Sequence, residues 1–255
     1  MTVALEFDGG IARLTVRRPD KLNALTAEMV DTLGARCREI ERSSAGAVIL
    51  SGEGKAFCAG GDIAAWSGES AEAFGRHWVR DGHVAFDALA RLRQPVIAVL
   101  DGHALGGGLE LAACADLRIA ETQVKIGQPE TGLGIIPGWS GTQRAVRRFG
   151  AQTVRRMAVM GEVFTADEAL ALGLVDHVVG QGEALAAAEA AANRILARGP
   201  RATELAKMMV NAAECEERER VIEALAGTIA AGSADLAEGL AAFREKRPPN
   251  FGDTS

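Results

Sequence analysis

The sequence predicts an α/β fold in which buried strands alternate with helices. Two observations support this prediction. Short β-type runs are followed repeatedly by a glycine-containing turn and a helical stretch, and strand patterns stop near Ala184, after which only helical patterns remain. The chain of 255 residues is long enough to bury a sizeable core, and 48% hydrophobic with 24% charged residues is ordinary for a globular protein.

The N-terminal third begins with a predicted hairpin. The β-type runs VALEF and IARLTV flank the turn Asp8-Gly9-Gly10. Thr26 is the predicted N-cap of a helix that extends to about Ile40, because a hydroxyl there can accept from an amide of the first turn. The run AVIL at 47–50 predicts a buried strand, and a helical stretch is expected from about residue 69 to residue 92.

The middle of the chain repeats this pattern around a run of glycines. PVIAVLDG predicts a strand, LELAACAD a helix, and DLRIA a return to extended structure. From about Ala184, alanine-rich amphipathic runs broken at Gly199-Pro200 and Gly232-Ser233 predict an all-helical C-terminal part. We therefore expect a core of residues 1–195, which carries the site, and a helical region of residues 196–255.

Charge and cysteine usage exclude several classes of protein. A net charge of −6 and a pI near 5.4 argue against a general binder of nucleic acid or of membrane surfaces, because phosphate binding needs a basic field. The cysteines form no CxxC pair and the histidines have no HExxH spacing, so no metal site and no disulfide framework is expected. Reduced thiols fit a cytoplasmic protein, and no signal peptide or membrane span is predicted.

Three well-known motifs nearly occur and fail. GEGKA lacks the first glycine and the hydroxyl of a phosphate-binding loop. GLGIIPG starts like a dinucleotide fingerprint, but its last glycine is displaced and a proline lies inside it. PGWSGT has threonine where a nucleophile elbow needs glycine. A nucleotide site and a serine nucleophile are therefore not predicted.

The glycines Gly106, Gly107 and Gly108 precede a predicted helix. Amide N–H groups at a helix N-terminus have no partners in the helix, and glycine lets an anionic oxygen approach them closely. KAFCAGGDI has the same order of a β-type run, two glycines (Gly60 and Gly61) and a predicted cap. Two such turns can aim two N–H donors at one developing oxyanion. The alternative is that the glycines only allow a helix to pack tightly on a strand.

Two glutamates accompany these turns. Glu110 lies in the first turn of the helix that follows the glycines, close to whatever their amides bind. Glu130 lies in IGQPETGLG, where the proline and glycines favour a fixed loop. Each acid alone could equally be a surface carboxylate, but together with two glycine turns they are candidate site residues. Asp62, Asp101 and Asp116 are expected to be structural, as caps or turn formers.

Five segments in the same order resemble the enoyl-CoA hydratase/isomerase family, which has the crotonase fold. They are RPDKLNAL, KAFCAGGDI, PVIAVLDGHALGGGLELAACAD, IGQPETGLGIIPGWSGTQR and ADEALALGLVDHVV, and AAFREKRPPNF near the C-terminus adds to them. The resemblance implies a spiral of ββα units, a helical C-terminal region for trimerisation, and an acyl-CoA thioester whose carbonyl is held by the amides of Gly61 and Gly107.

The resemblance also implies the chemistry. Members with both glutamates are hydratases, which add water reversibly, on one face, across the C2=C3 bond of a 2-enoyl-CoA to give a 3-hydroxyacyl-CoA. Glu110 is expected to activate the water and Glu130 to protonate C2. The alternatives are an isomerase that converts 3-enoyl-CoA to 2-enoyl-CoA, and a pathway-specific enzyme for carnitinyl-CoA or a branched or aromatic enoyl-CoA.

Substrate-binding residues carried over from the family contact the CoA moiety or the acyl chain. They are Lys21, Leu22, Ala24, Ala59, Gly60, Gly61, Asp62, Ile63, Ala64, Gly107, Pro129, Pro137, Trp139, Phe243 and Lys246. Trp139 stands where simple fatty-acid hydratases often have a small residue, so the acyl pocket is expected to be reshaped. The resemblance implies no cofactor beyond the CoA of the substrate, no metal, and a homotrimer or dimer of trimers. RNA binding, known for a few members, is disfavoured by the acidic pI.

Overall fold

The computed structural model describes residues 2–251. The strands are β1 (Thr2–Asp8), β2 (Ile11–Arg17), β3 (Ala47–Gly52), β4 (Ala56–Cys58), β5 (Val96–Leu100), β6 (His103–Leu105), β7 (Leu117–Glu121), β8 (Lys125–Gly127), β9 (Val163–Thr165) and β10 (His177–Val179). The α-helices are α1 (Ala27–Arg42), α2 (Ile63–Trp66), α3 (Ala71–Ala73), α4 (Arg80–Ala90), α5 (Gly107–Ala112), α6 (Gln143–Phe149), α7 (Ala151–Val154), α8 (Ala166–Ala171), α9 (Ala184–Leu196), α10 (Pro200–Ala213), α11 (Arg218–Ala231) and α12 (Ala234–Glu245). The chain forms two compact units whose boundary lies between Lys207 and Met208.

The strands of the first unit form two sheets that the chain visits alternately. One sheet has the order β1-β2-β3-β5-β7-β10 and the other the order β4-β6-β8-β9. The pairs β3–β4, β5–β6 and β7–β8 each place one strand in each sheet, and helical segments follow each pair. All strand pairs are parallel except β1–β2 and β8–β9. The predicted α/β fold and the spiral of ββα units are therefore confirmed.

The N-terminal elements form as the sequence predicts. Strands β1 and β2 make the antiparallel hairpin, with Asp8 opposite Ile11 across the two-residue glycine turn. The Thr26 side chain accepts a hydrogen bond from the amide of Met29, 3.3 Å away, and caps α1. Val48 and Leu50 of β3 are buried in one core with the apolar side chains of α1, whereas Ala47 and Ile49 on the opposite face are buried in a second core with α9.

The stretch expected to be helical from 69 to 92 is not one regular α-helix. Ser70 caps the short α3, residues 74–79 are π-helical, and α4 follows without a break. The wider π-helical turn leaves the Trp78 carbonyl able to accept from the indole N–H of Trp139, 2.9 Å away. The π-helical segment thus takes part in a tertiary hydrogen bond, which no local sequence pattern predicts.

The unit that begins at Met208 consists of helices. It contains the end of α10 together with α11 and α12, and Ser233 caps α12 through the amide of Leu236. Arg247 lies beyond the end of α12 and donates two hydrogen bonds, of 2.6 and 2.9 Å, to the carboxylate of Glu238 within that helix. Among the described residues no strand follows β10, so the predicted change to helices near Ala184 is confirmed. No helix within 2–251 is both long and apolar enough to cross a lipid bilayer.

A buried ion pair fixes the start of β5. Asp116 accepts hydrogen bonds from the Val96 amide and from the Lys207 ammonium group, both 2.7 Å away. The same ammonium group donates to the carbonyl of Gln94 at 2.9 Å. Asp116 therefore has the structural role expected from the sequence.

The backbone of α5 lies directly on the end of β4. A Cβ atom added at Gly108 would overlap the carbonyl oxygen of Cys58, which is backbone and has no side-chain freedom to move away. Glycine is therefore required at this position for the helix to pack on the strand. This packing role and a role in binding are both compatible with the triple glycine.

We expect Gly108→Ala to lower the free energy of unfolding by roughly 1–3 kcal/mol, because the added methyl group overpacks this contact. The measurement is the urea midpoint at fixed protein concentration. Gly227→Ala is the control, since Gly227 lies inside α11 with nothing within 4 Å of an added Cβ. It should leave stability unchanged or raise it by up to about 1 kcal/mol. Equal midpoints for Gly108→Ala and the wild type would contradict the prediction.

Candidate active site

Two neighbouring parallel strands, β4 and β6, end at the same edge of the second sheet. Ala56 pairs with His103 and Cys58 with Ala104, so the two strands stop side by side. Residues 59–61 follow β4 and residues 106–108 follow β6. The fold therefore brings together two glycine turns that are nearly 50 residues apart in sequence. The distance between the turns is about the spacing of two neighbouring strands.

The backbone of these turns requires glycine and leaves two amides open. Gly60 and Gly106 have φ values of +104° and +53°, and a Cβ on Gly60 would lie 3.1 Å from the amide nitrogen of Gly107. The hydrogen bonds of the first turn run from Leu25 to the Gly60 carbonyl and from Asp62 to the Leu25 carbonyl, on either side of Gly61. Within residues 2–251, neither the Gly61 nor the Gly107 amide donates a hydrogen bond.

Glu110 is a buried carboxyl in α5 with two hydrogen bonds. Its side chain is held by the helix that starts at Gly107, and the residue is 3% exposed. The amides of Trp139 and Gly141 both donate to Oε1, each at 2.6 Å. Both donors come from the loop before α6, so the orientation of this acid depends on a segment distant in sequence.

Glu130 is a buried carboxyl beside the second glycine turn. It begins a 3₁₀ turn at 130–133 immediately after Pro129, and neither of its oxygens has a partner among residues 2–251. Its Oε1 lies 3.2 Å from where a Cβ of Gly106 would be, beside the second glycine turn. A buried polar group without a partner costs free energy, which makes Glu130 a candidate for a functional role.

Burial shifts the ionisation of both acids upward. Loss of hydration raises the pKa of Glu130 to about 7. Burial, and then the charge of Glu130, raise the pKa of Glu110 to about 8, against the effect of the two N–H donors, which stabilise its carboxylate. Near neutral pH the two groups titrate as a coupled pair and can supply an acid and a base at one site.

Both acids and both glycine turns line one cavity of about 190 Å³. Its remaining walls are mostly apolar, and all three tryptophans of the chain contribute to them. The rings of Trp78 and Trp139 lie 4.9 Å apart, and those of Trp66 and Phe74 lie 5.4 Å apart. The apolar and aromatic wall residues are Ile63, Trp66, Phe74, Trp78, Leu105, Leu133, Ile135, Ile136 and Trp139.

Nine of the predicted catalytic and substrate-binding residues line this cavity. They are Glu110, Glu130, Ala59, Gly60, Gly61, Ile63, Gly107, Pro129 and Trp139. Lys21, Leu22 and Ala24 form a turn next to it, where the Leu22 carbonyl accepts from the Ala59 amide at 3.0 Å. Asp62 caps α2 through the amide of Ala64 and pairs with Arg18 at 2.7 Å, as expected for a structural residue.

Besides Lys21, Leu22, Ala24 and Asp62, four predicted residues lie outside the cavity wall, and the first of them, Ala64, is in α2. Pro137 is one residue from Gly138, which does line it. In the second unit, Phe243 is 83% exposed on α12, and Lys246 ends that helix in a left-handed conformation. Their locations alone do not show whether Phe243 and Lys246 contact CoA, so their role in CoA binding stays a prediction.

Sequence reasoning missed part of the cavity. Trp66, Phe74 and Trp78 were not predicted as site residues, although with Trp139 they make four of the eleven aromatic residues of the chain. The amide donors of Trp139 and Gly141 were also missed, because backbone groups leave no signal in residue type. No group of three or more His, Cys, Asp or Glu side chains within residues 2–251 is arranged to hold a metal ion.

Comparisons with known proteins identify the family of the chain. Residues 6–254 match the sequence profile of the family described as enoyl-CoA hydratase/isomerase. The chain is 39% identical to the crotonyl-CoA hydratase of Syntrophomonas wolfei over 98% of this chain and 97% of that protein. It is also 39% identical to the short-chain-enoyl-CoA hydratase of Clostridium acetobutylicum, over 96% and 95%. The crystal structure of the enoyl-CoA hydratase from Bacillus anthracis has a TM-score of 0.79 and 32% identity, covering 98% of each chain.

The raised pKa of Glu130 makes stability depend on pH. Between about pH 4.5 and pH 7 the folded protein retains a proton that the unfolded chain releases, so the free energy of unfolding falls as pH rises. Glu130→Gln removes this contribution. We expect the variant to match the wild type near pH 4.5 and to exceed it by roughly 3 kcal/mol above pH 8. Urea titrations at several pH values measure this, and parallel pH profiles of the two proteins would contradict it.

Proposed function

Because the chain belongs to the enoyl-CoA hydratase/isomerase family, we propose that the cavity is the active site of a 2-enoyl-CoA hydratase. The reaction adds water reversibly across the C2=C3 bond of the thioester and gives a 3-hydroxyacyl-CoA. One observation supports this above all: two buried carboxyls share a cavity with two glycine amides that donate no hydrogen bond among the described residues. Hydration needs a base, an acid and a site for negative charge, and this cavity contains groups suited to all three.

The amides of Gly61 and Gly107 are the proposed site for the thioester oxygen. When water adds at C3, electron density moves through C2 to the carbonyl oxygen, which becomes an enolate oxygen. Two N–H donors fixed by the backbone stabilise that charge without reorganising, and one such donor is typically worth about 3 kcal/mol of transition-state energy. Close contact of the oxygen with both amides requires that no side chain lies between them, which glycine ensures.

The two acids divide the proton transfers. Burial raises the pKa of Glu110 to about 8, above that of Glu130, so the pKa values alone do not assign the base. In a pair that shares one proton, the N–H bonds from Trp139 and Gly141 favour the carboxylate on Glu110, and this geometry supports Glu110 as the group that takes a proton from the water attacking C3. Glu130 has no hydrogen bond to break within residues 2–251, and in its protonated form it can deliver a proton to C2. One water is added in total, as a hydroxyl group at C3 and a proton at C2. Glu110 gains the proton that the water loses and Glu130 gives up the proton that C2 gains, so the pair returns to its starting state once a proton moves from Glu110 to Glu130 through solvent.

The substrate supplies its own coenzyme A, and the proposal requires no further cofactor. The turn at residues 21–24 lies beside residues 59–61, which supports placing the CoA moiety across these two segments. The homotrimer or dimer of trimers implied by the family is likewise a proposal. It is supported by large apolar side chains that are exposed in the single chain, among them Val159 and Met160. A cytoplasmic location remains a prediction.

We expect Glu110→Gln and Glu130→Gln each to lower kcat about 10²- to 10⁴-fold, because each removes one of the two proton-transfer groups, while KM changes little. Loss of the ultraviolet absorbance of crotonyl-CoA measures hydration. Glu28→Gln, on the exposed face of α1, is the control and should keep wild-type activity.

The same assay separates the isomerase alternative. A 3-enoyl-CoA gains conjugated-thioester absorbance if the enzyme moves the double bond. A wild-type protein that performs this conversion but leaves crotonyl-CoA unchanged would refute the hydratase assignment. Full hydration activity in both glutamine variants would refute the roles of the two acids.

The walls of the cavity select the acyl group. Apart from the two glutamates, its side chains are apolar, so a charged group at the far end of the acyl chain would lose its hydration without finding a partner. We expect an enoyl-CoA with a terminal carboxylate to have a kcat/KM at least about tenfold below that of an uncharged chain of equal length. A tenfold ratio corresponds to about 1.4 kcal/mol of desolvation free energy that no new contact offsets. Rates over a panel of matched thioesters measure this ratio, and equal rates would contradict it.

A further inference from the structure

The loop at residues 139–141 has an unusual conformation where it contacts Glu110. The amides on either side of Ser140 both donate to one carboxylate oxygen, and Ser140 itself has a φ of +73°. This left-handed region disfavours residues other than glycine, so surrounding contacts must hold the loop in place. Ser140 is also buried, which leaves its hydroxyl dependent on a protein partner.

That partner is a histidine on helix α4. The Oγ atom of Ser140 and Nδ1 of His83 lie 3.2 Å apart and share a hydrogen bond. His83 is half-buried, and the loss of hydration lowers the pKa of its imidazole below the ordinary value. The neutral ring is therefore the form that faces the serine at neutral pH.

Neighbouring positions of α4 hold the same loop on both sides of Ser140. The Trp139 indole lies against Gly82, where an added Cβ would overlap its Nε1 atom. Farther along the chain, the Arg144 guanidinium donates to Oδ1 of Asp87 at 2.6 Å, and the Arg144 amide donates to the Ser140 carbonyl at 2.9 Å. Helix α4 thus contacts the loop at Trp139 and Ser140 and the first turn of α6 at Arg144, and the Ser140 side chain lies between the other two contacts in sequence.

We propose that Ser140 and His83 are positioning residues for Glu110: their hydrogen bond holds the loop at 139–141 so that two amides converge on the carboxylate. Neither residue lines the cavity, so each acts through the loop and not on the substrate. The inference rests on the proposed function, in which Glu110 is the base. Without the Ser140–His83 bond, the loop is free to leave its left-handed conformation and the two N–H bonds lengthen.

The charges around these groups give the direction of the effect. Glu110 faces Glu130, Arg144 and the buried thiol of Cys58, while His83 faces Asp87 and Arg144. None of these groups is removed by changing Ser140. Weaker N–H donation makes the carboxylate of Glu110 less stable, so the acidic limb of the kcat profile should move to higher pH. A change that is only structural would scale the profile without moving it.

Ser140→Ala and His83→Ala test the proposal, with crotonyl-CoA as substrate. We expect each to lower kcat about five- to tenfold, as for the loss of one hydrogen bond, with KM within about twofold of the wild type and the acidic limb at higher pH. The double variant should be no slower than either single variant, because both remove the same bond. His83→Asn, whose side-chain amide can replace Nδ1, should recover part of the lost kcat.

The control and the contrary results are equally specific. Val84→Ala changes a side chain on α4 that is 69% exposed and should behave as the wild type. The proposal is overturned if the acidic limb stays in place, if the two single effects add in the double variant, or if Ser140→Gly restores full activity while Ser140→Ala does not. Circular dichroism checks folding, and if Ser140→Ala does not fold, the His83→Ala and His83→Asn pair decides.

A second readout does not depend on activity. In the wild type the amide protons of Trp139 and Gly141 should resonate downfield in NMR spectra and titrate together with Glu110, and both should move upfield in Ser140→Ala. If the wild type hydrates no enoyl-CoA, the proposed function fails, but these two resonances still test the positioning role. Unchanged resonances in Ser140→Ala would overturn that role whatever the activity.

Discussion

The close contact between the backbone of α5 and the end of β4 is the constraint on which the rest of the site depends. Glycine at position 108 lets the helix start directly on the Cys58 carbonyl, and glycine at position 60 lets the preceding turn approach the Gly107 amide. Two strand ends from adjacent positions in one sheet therefore present open amides to one cavity. Side chains at these positions would push the two turns apart, and their N–H groups would no longer point to the same place in the cavity.

Burial of two acids beside these turns is the second physical feature, and it is costly. Removing a carboxylate from water disfavours its charge, which raises the pKa of Glu110 to about 8 and that of Glu130 to about 7. Their surroundings differ, however. Two amides fix Glu110, whereas Glu130 faces the cavity without a hydrogen bond from residues 2–251. This asymmetry supports the different proton-transfer roles proposed for the two side chains, and helix α4 contacts the loop that donates to Glu110.

Much of the fold could be predicted from local pattern. The hairpin, the cap at Thr26, the strand at 47–50 and the helical C-terminal part follow from turn residues, capping hydroxyls and apolar periodicity, which act over a few residues. The helical stretch from 69 to 92 shows where this stops, because its π-helical turn is accompanied by a hydrogen bond to Trp139, some 60 positions away. A contact of that kind has no trace in the local sequence.

For the candidate site, the sequence by itself determined which groups are available: the two glycine turns, Glu110 and Glu130, in an order that matches the family. Only the tertiary structure decided how they are used. It placed three tryptophans around one cavity, directed the amides of Trp139 and Gly141 at one oxygen of Glu110, and left Glu130 without a partner among the described residues. The physical reason is that residue type fixes what a side chain can do, whereas burial and the direction of backbone amides depend on contacts between segments distant in sequence.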